Sequence, residues 1–100
     1  MNITKNETDD IITIALEGRL DKLSSPVLDD FLKKEVVKNK NIVFDFKNLE
    51  YVSSAGLRIL VSCEKQLKST NKTMEIVNVN NDVMYILKIT GFIYMLNIKG

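Results

Sequence analysis

Ile42-Val43-Phe44-Asp45-Phe46-Lys47-Asn48-Leu49-Glu50-Tyr51-Val52-Ser53-Ser54-Ala55-Gly56-Leu57-Arg58-Ile59-Leu60 is the stretch on which the fold turns. Its first five residues form a short run of β-branched and aromatic side chains broken only by Asp45. Such a run predicts a strand covered on both faces, as in the middle of an α/β sheet. Lys47 to Glu50 reads as a polar turn, and Tyr51 and Val52 return to the core. The Ser-Ser pair then opens a helix that runs to about Ser69, with Ser54 placed to cap its first turn.

Upstream, Ile11 to Glu17 alternates Ile12, Ile14 and Leu16 with Ile11, Thr13 and Ala15, the period of a strand, which Gly18 is expected to end. Ile3 to Glu7 reads as a short edge strand. A helix is expected from about Ser25, capped by Ser24 or Ser25, with Pro26 in the first helical position and Val27, Leu28, Phe31, Leu32 and Val36 as its apolar stripe. Downstream, Met74 to Val79 reads as a strand. Asn80 or Asn81 caps a third helix carried by Val83, Ile86, Leu87 and Ile89 and stopped by Gly91. Phe92 to Ile98 reads as a helical turn and a last short strand. The predicted order is ββαβαβα: an α/β fold with a four- to five-stranded, mostly parallel (mixed) sheet and helices packed on it.

At 100 residues, 45% hydrophobic and 27% charged, the chain suits one domain over 1–100 with a real core. Fourteen basic and 13 acidic residues leave a net charge of +1, and the basic residues are scattered. Neither nucleic acid nor an anionic membrane is implied as a partner. Met1 to Asp10 is polar and acidic, unlike a secretion signal, and no run approaches the ~20 apolar residues of a membrane span. With a single cysteine, Cys63, a reducing and cytoplasmic setting is expected. Histidine is absent, which removes the commonest general base and metal ligand. No nucleophile–base pair and no glycine-rich phosphate loop is visible, so neither a catalytic residue, a metal site nor a cofactor is expected.

The segment from Asp45 to Leu60 resembles the signature of STAS domains: an aspartate-containing strand end, a loop, an apolar pair, a phosphorylatable serine or threonine, a glycine and a leucine. Glu17-Gly18-Arg19-Leu20-Asp21 is similar to the family's turn after its second strand. Ile86-Leu87-Lys88-Ile89-Thr90-Gly91-Phe92 is similar to its last helix and the glycine after it. Together these motifs identify the chain with the STAS family, and within it with the anti-sigma factor antagonists. The resemblance implies a non-catalytic switch protein. It implies phosphorylation at Ser54, with the neighbouring Ser53 as second choice, because Ser53 stands where these antagonists often carry aspartate. It implies as partners an anti-sigma factor that is a serine kinase of the ATP-binding GHKL type, and a serine phosphatase; ATP and magnesium belong to the kinase. It also implies that Asp21 lies near the phosphorylation site. The alternative within the family is an unphosphorylated STAS adaptor in a lipid-transport or stress-sensing complex.

Helical periodicity, at about 100° per residue, puts Ile59, Leu60, Cys63 and Leu67 on one side of the second helix, toward the sheet. Ser54, Arg58, Val61 and Lys65 fall on the opposite side, where they form either a docking strip or an ordinary solvated face with one stray valine. Joined to the residues that the resemblance implies, the expected partner-binding set is Asp21, Ser53, Ser54, Gly56, Leu57, Arg58, Val61 and Lys65. Cys63 reads as a buried small hydrophobe. Asp45 reads as a structural acceptor for nearby loop N–H groups.

Overall fold

Strand alternation carries directly into the tertiary structure, a computed structural model that describes residues 1–99. The elements are β1 (Asn2–Glu7), β2 (Ile11–Leu20), α1 (Ser25–Val36), β3 (Asn41–Val52), α2 (Ser54–Lys68), β4 (Met74–Val77) and α3 (Asn81–Thr90), then a 3-10 turn at Phe92–Tyr94. This is the expected order. The sheet runs β1-β2-β3-β4, with β1 antiparallel to β2 and β2, β3 and β4 mutually parallel. The sheet thus has four strands; in place of the expected last short strand, Ile98 makes only an isolated parallel bridge to Ile76.

Ile12, Ile14 and Leu16 of β2 and Ile42, Phe44 and Phe46 of β3 are buried, and the residues between them are only half-buried. One face of the sheet is therefore sealed and the other partly covered, which corrects the expectation that β3 is covered on both. Leu28 and Leu32 of α1, Leu57, Leu60 and Leu67 of α2, and Val83 and Leu87 of α3 complete the core. Val27, expected on the apolar stripe of α1, is 57% exposed.

Two strands run further than their sequences suggest. Gly18 does not end β2; it adopts φ +98°, a value that suits glycine, and the strand continues to Leu20. Lys47 to Glu50 is not a turn but part of β3. Between Ala15 and Glu17, and again between Gly18 and Arg19, β3 inserts one extra residue relative to β2. These bulges accommodate the polar residues without breaking the ladder. In contrast β4 stops at Val77, because Asn78 turns the chain with φ +59°. Asn78 donates from Nδ2 to Asp45 Oδ1 at 3.1 Å.

Asn80 accepts from the Val83 N–H at 2.9 Å and donates to the Leu49 carbonyl at 2.6 Å, tying α3 to β3, and Gly91 closes α3 in the left-handed conformation. Ser24 precedes α1 but makes no side-chain cap, and Pro26 takes the second helical position rather than the first. The Ser24 hydroxyl is engaged instead with the Asp21 N–H and the Arg19 carbonyl, both at 2.8 Å.

At the far end of α1 an ion cluster joins the β1–β2 hairpin to the helix. Glu7 receives Lys40 at 2.8 Å and Lys38 at 3.0 Å, and the buried Glu35 receives Lys5 at 3.0 Å and Lys38 at 3.2 Å. Hydrogen bonds from Lys40, then Lys38, pull the Glu7 carboxyl from its ordinary 4.5 down to about 2. A carboxyl lowered by folding stabilises the native state fully above its unfolded value and loses that contribution as pH falls through the folded one. Glu7→Gln should therefore flatten the loss of stability between about pH 4.5 and pH 2 in denaturant titrations. Identical acid limbs for the two proteins would contradict this.

Candidate functional site

The parallel strands β2 and β3 end side by side, with Leu20 and Val52 as their last register pair. The carboxyl ends of adjacent parallel strands are where open α/β sheets place their sites. From here the chain enters α1 through Asp21 and α2 through Ser53. Leu20 locks the two exits together. Its carbonyl accepts the Ser53 N–H at 2.8 Å, and its side chain is fully buried against the first turn of α2. A Cβ at position 56 would lie 2.5 Å from Leu20 Cγ and 2.8 Å from Cδ2, so only glycine fits.

Two adjacent serines take different roles. Ser53 has an extended backbone, and its hydroxyl accepts from the Gly56 N–H at 3.2 Å, so Ser53 is the cap. This corrects the assignment of the cap to Ser54. A cap needs non-helical backbone angles to fold its side chain over the first N–H groups, and Ser54 is already helical. Ser54 is the first residue of α2, is exposed, and has no hydrogen-bond partner for its hydroxyl among the described residues.

Asp21 is half-buried beside this turn. Its Oδ1 accepts from the Leu23 and Ser24 N–H groups at 3.0 Å each and from the Ser24 hydroxyl at 3.1 Å. The Ser24 N–H, more than any other group, holds its carboxyl below the usual aspartate value. Asp21 thus shapes the loop. Asp45 accepts from the Lys47 N–H at 3.0 Å, in keeping with the structural role read from the sequence.

Of the strip read along α2, Ser54, Arg58 and Lys65 are exposed, but Val61 is only 9% exposed and belongs to the core. Gly56 and Leu57 are buried as well. The buried arc of α2 is wider than a sheet-facing stripe, running from Gly56 and Cys63 round to Val61. The sequence did not single out Arg19 and Tyr51, whose guanidinium and ring stack at 4.3 Å, nor Leu23, 86% exposed in the Asp21 loop. The stacking depends on the bulges that bring Arg19 opposite Tyr51, and no local pattern announces it. Leu23 carried a weak signal as an apolar residue in a polar turn.

Other chemistry is sparse. Burial, then the nearby Glu64 charge, pushes the Cys63 thiol up to about 12, which keeps it un-ionised and unreactive. A groove of about 480 Å³ lies against β1 and the bulged part of β3, with Glu17, Asp45 and Lys47 at its walls. Neither Asp21 nor Ser54 lines it. Among the described residues no cluster of three or more acidic or cysteine side chains is placed to hold a metal, and no helix is long and apolar enough to cross a membrane.

Comparison with known proteins finds a family model described as the STAS domain over residues 2–99. A protein of Bordetella bronchiseptica named as a candidate anti-sigma factor antagonist, BtrV, is 28% identical over 94 residues, covering 93% of this chain and 81% of its own. The anti-sigma-B factor antagonist of Bacillus subtilis is 26% identical over 100 residues, covering 100% and 90%. Among solved structures, the anti-sigma factor antagonist SpoIIAA in its unphosphorylated form superposes with a TM-score of 0.79 at 15% identity, over 99% of this chain and 88% of its own. The Bacillus protein in its phosphorylated form superposes with a TM-score of 0.74 at 14% identity, over 99% and 92%. These last likenesses are of fold.

Three substitutions separate the roles of the turn. Ser53→Ala should cost about 1 kcal/mol by loss of the cap, and Ser54→Ala should stay within about 0.5 kcal/mol of the wild type. Gly56→Ala should cost about 1–3 kcal/mol, because Leu20 must move. Urea unfolding midpoints measure all three, and equal effects at positions 53 and 54 would overturn the division.

Proposed function

The chain belongs to the STAS domain family, and on that premise we propose that it is an anti-sigma factor antagonist. It binds an anti-sigma factor that is also a serine kinase, and it is released when Ser54 is phosphorylated. The observation that carries this reading is the exposed, unpartnered Ser54 hydroxyl beside a neighbour already committed to capping. The names of the relatives point the same way.

In the proposed cycle the Ser54 oxygen attacks the γ-phosphorus of ATP held by the kinase. The bond to ADP breaks, and the serine proton passes to a base of the kinase. The product carries about two negative charges where a neutral hydroxyl stood. The domain tolerates that charge, since the start of a helix favours an anion and Ser54 makes no bond that holds the fold. A partner surface fitted to the hydroxyl does not tolerate it. A phosphatase returns the phosphate to water and resets the switch. The domain acts by binding rather than catalysis, through Ser54, Arg58 and Lys65 on α2 and through the Asp21 loop. The buried Gly56 and Leu57 support that surface from beneath. An adaptor role without phosphorylation shares the fold but gives the free Ser54 hydroxyl nothing to do.

Incubation with the partner kinase and ATP, followed by fragmentation of the tryptic peptide 48–58, should place phosphate on Ser54 rather than Ser53. No phosphate on either residue, with binding intact, would leave the adaptor reading. Ser54→Asp should weaken partner binding by about tenfold or more, and Ser54→Ala far less. Equal affinities by calorimetry would contradict the proposal.

A further inference from the structure

Resting on that reading of Ser54, we infer that Arg58 is the internal counter-charge of the phosphorylated side chain. It faces a partner while Ser54 carries its hydroxyl, and it is drawn onto the phosphate once that group is added.

Ser54 and Arg58 stand four residues apart on α2, about 6 Å along the axis and on the same side of the helix. Both are exposed. The side-chain pairs within α2 are Gln66 with Ser62 and Lys68 with Glu64, and Arg58 has no ion pair or hydrogen bond among the described residues. Its neighbours at helical spacing are Ser54, Ala55, Val61 and Ser62, none of them charged. The first turn of α2 holds no acid, whereas Asp82 fills that place in α3. Phosphorylation of Ser54 therefore creates the first anion within helical reach of this guanidinium. An acid four residues before a base is the favourable order on a helix. The planar guanidinium can meet two phosphate oxygens at once, which makes the pair stronger than a point-charge contact.

Other charges near the turn are placed differently. The Arg19 guanidinium carbon lies over the Tyr51 ring, 4.3 Å from its centroid, and its charge already acts on Asp21. Asp21 is held by the N–H groups of its own loop. Lys65 is eleven residues from Ser54, about 16 Å along the axis, too far to neutralise the phosphate. Modification thus changes two things that a partner reads. A neutral hydroxyl becomes an anion, and the one arginine of the α2 strip is withdrawn.

The test installs phosphoserine at position 54 by genetic encoding, in the 100-residue chain and in its Arg58→Gln, Arg58→Lys, Arg19→Gln and Lys65→Gln variants. Phosphorus NMR then follows the second ionisation of the phosphate, ordinarily near 6. Arg58→Gln should raise that value by about half a unit, the scale of an exposed ion pair. Arg58→Lys should raise it less, and Lys65→Gln should leave it unchanged. An unmoved value in Arg58→Gln, or a larger movement in Arg19→Gln, would overturn the assignment. Because the phosphate is installed during synthesis, the result does not depend on any kinase. Failure of the switch itself would appear separately, as undiminished partner binding by the phosphorylated wild type.

Discussion

The contact between Leu20 and Gly56 organises everything at the working end of this molecule. β2 must finish with a large apolar side chain to seal the core, and α2 must begin within van der Waals reach of that side chain. Only a residue without Cβ allows both. The bond from the Ser53 N–H to the Leu20 carbonyl fixes the angle at which the chain leaves β3. Given that angle, Ser53 is extended and its hydroxyl turns inward over the helix start, so Ser54 is the first residue whose side chain faces outward. Presentation of one serine and commitment of the other to the cap are consequences of one packing constraint between two strand ends.

Much of this fold was legible because local and long-range signals agree. The alternation in Ile11 to Leu16, the asparagine and glycine that bracket α3, and the order of elements all survive in the structure. Two of the misreadings share a cause: each concerns how an element meets a neighbour that the local pattern does not contain. Lys47 to Glu50 looks like a turn because it is polar, yet two bulges let it run on as strand against β2, which is visible only once the register is known. Val61 looks exposed because periodicity gives the direction of a helix face but not its width, which packing on neighbouring elements sets. The choice of cap between Ser53 and Ser54 turns on a one-residue difference in helix start, within the ordinary uncertainty of reading a boundary from sequence.

The distribution of charge follows the same division between a structural end and a working end. Lys5, Lys38 and Lys40 are consumed in the cluster with Glu7 and Glu35, which pins the first hairpin to the end of α1. Lys33 and Lys68 pair along their own helices. At the opposite end, where β2 and β3 finish, Arg19 stands over an aromatic ring and Arg58 stands in solvent with no acid paired to it among the described residues. Both arginines of this near-neutral chain thus stand at the end that presents the serine.

That arrangement bears on which serine a switch would use. Modifying Ser53 would crowd a hydroxyl that already accepts from Gly56, at the point where Leu20 leaves no slack. A phosphate there would act on the fold, loosening the start of α2 and with it the surface to be regulated. Ser54 has no such duty. In the proposed switch, charge added at that position would reach a partner without passing through the core, and the modified protein would keep its shape. A serine committed to the cap and a second serine left free are, on this view, the minimum needed to write a reversible mark on a rigid surface.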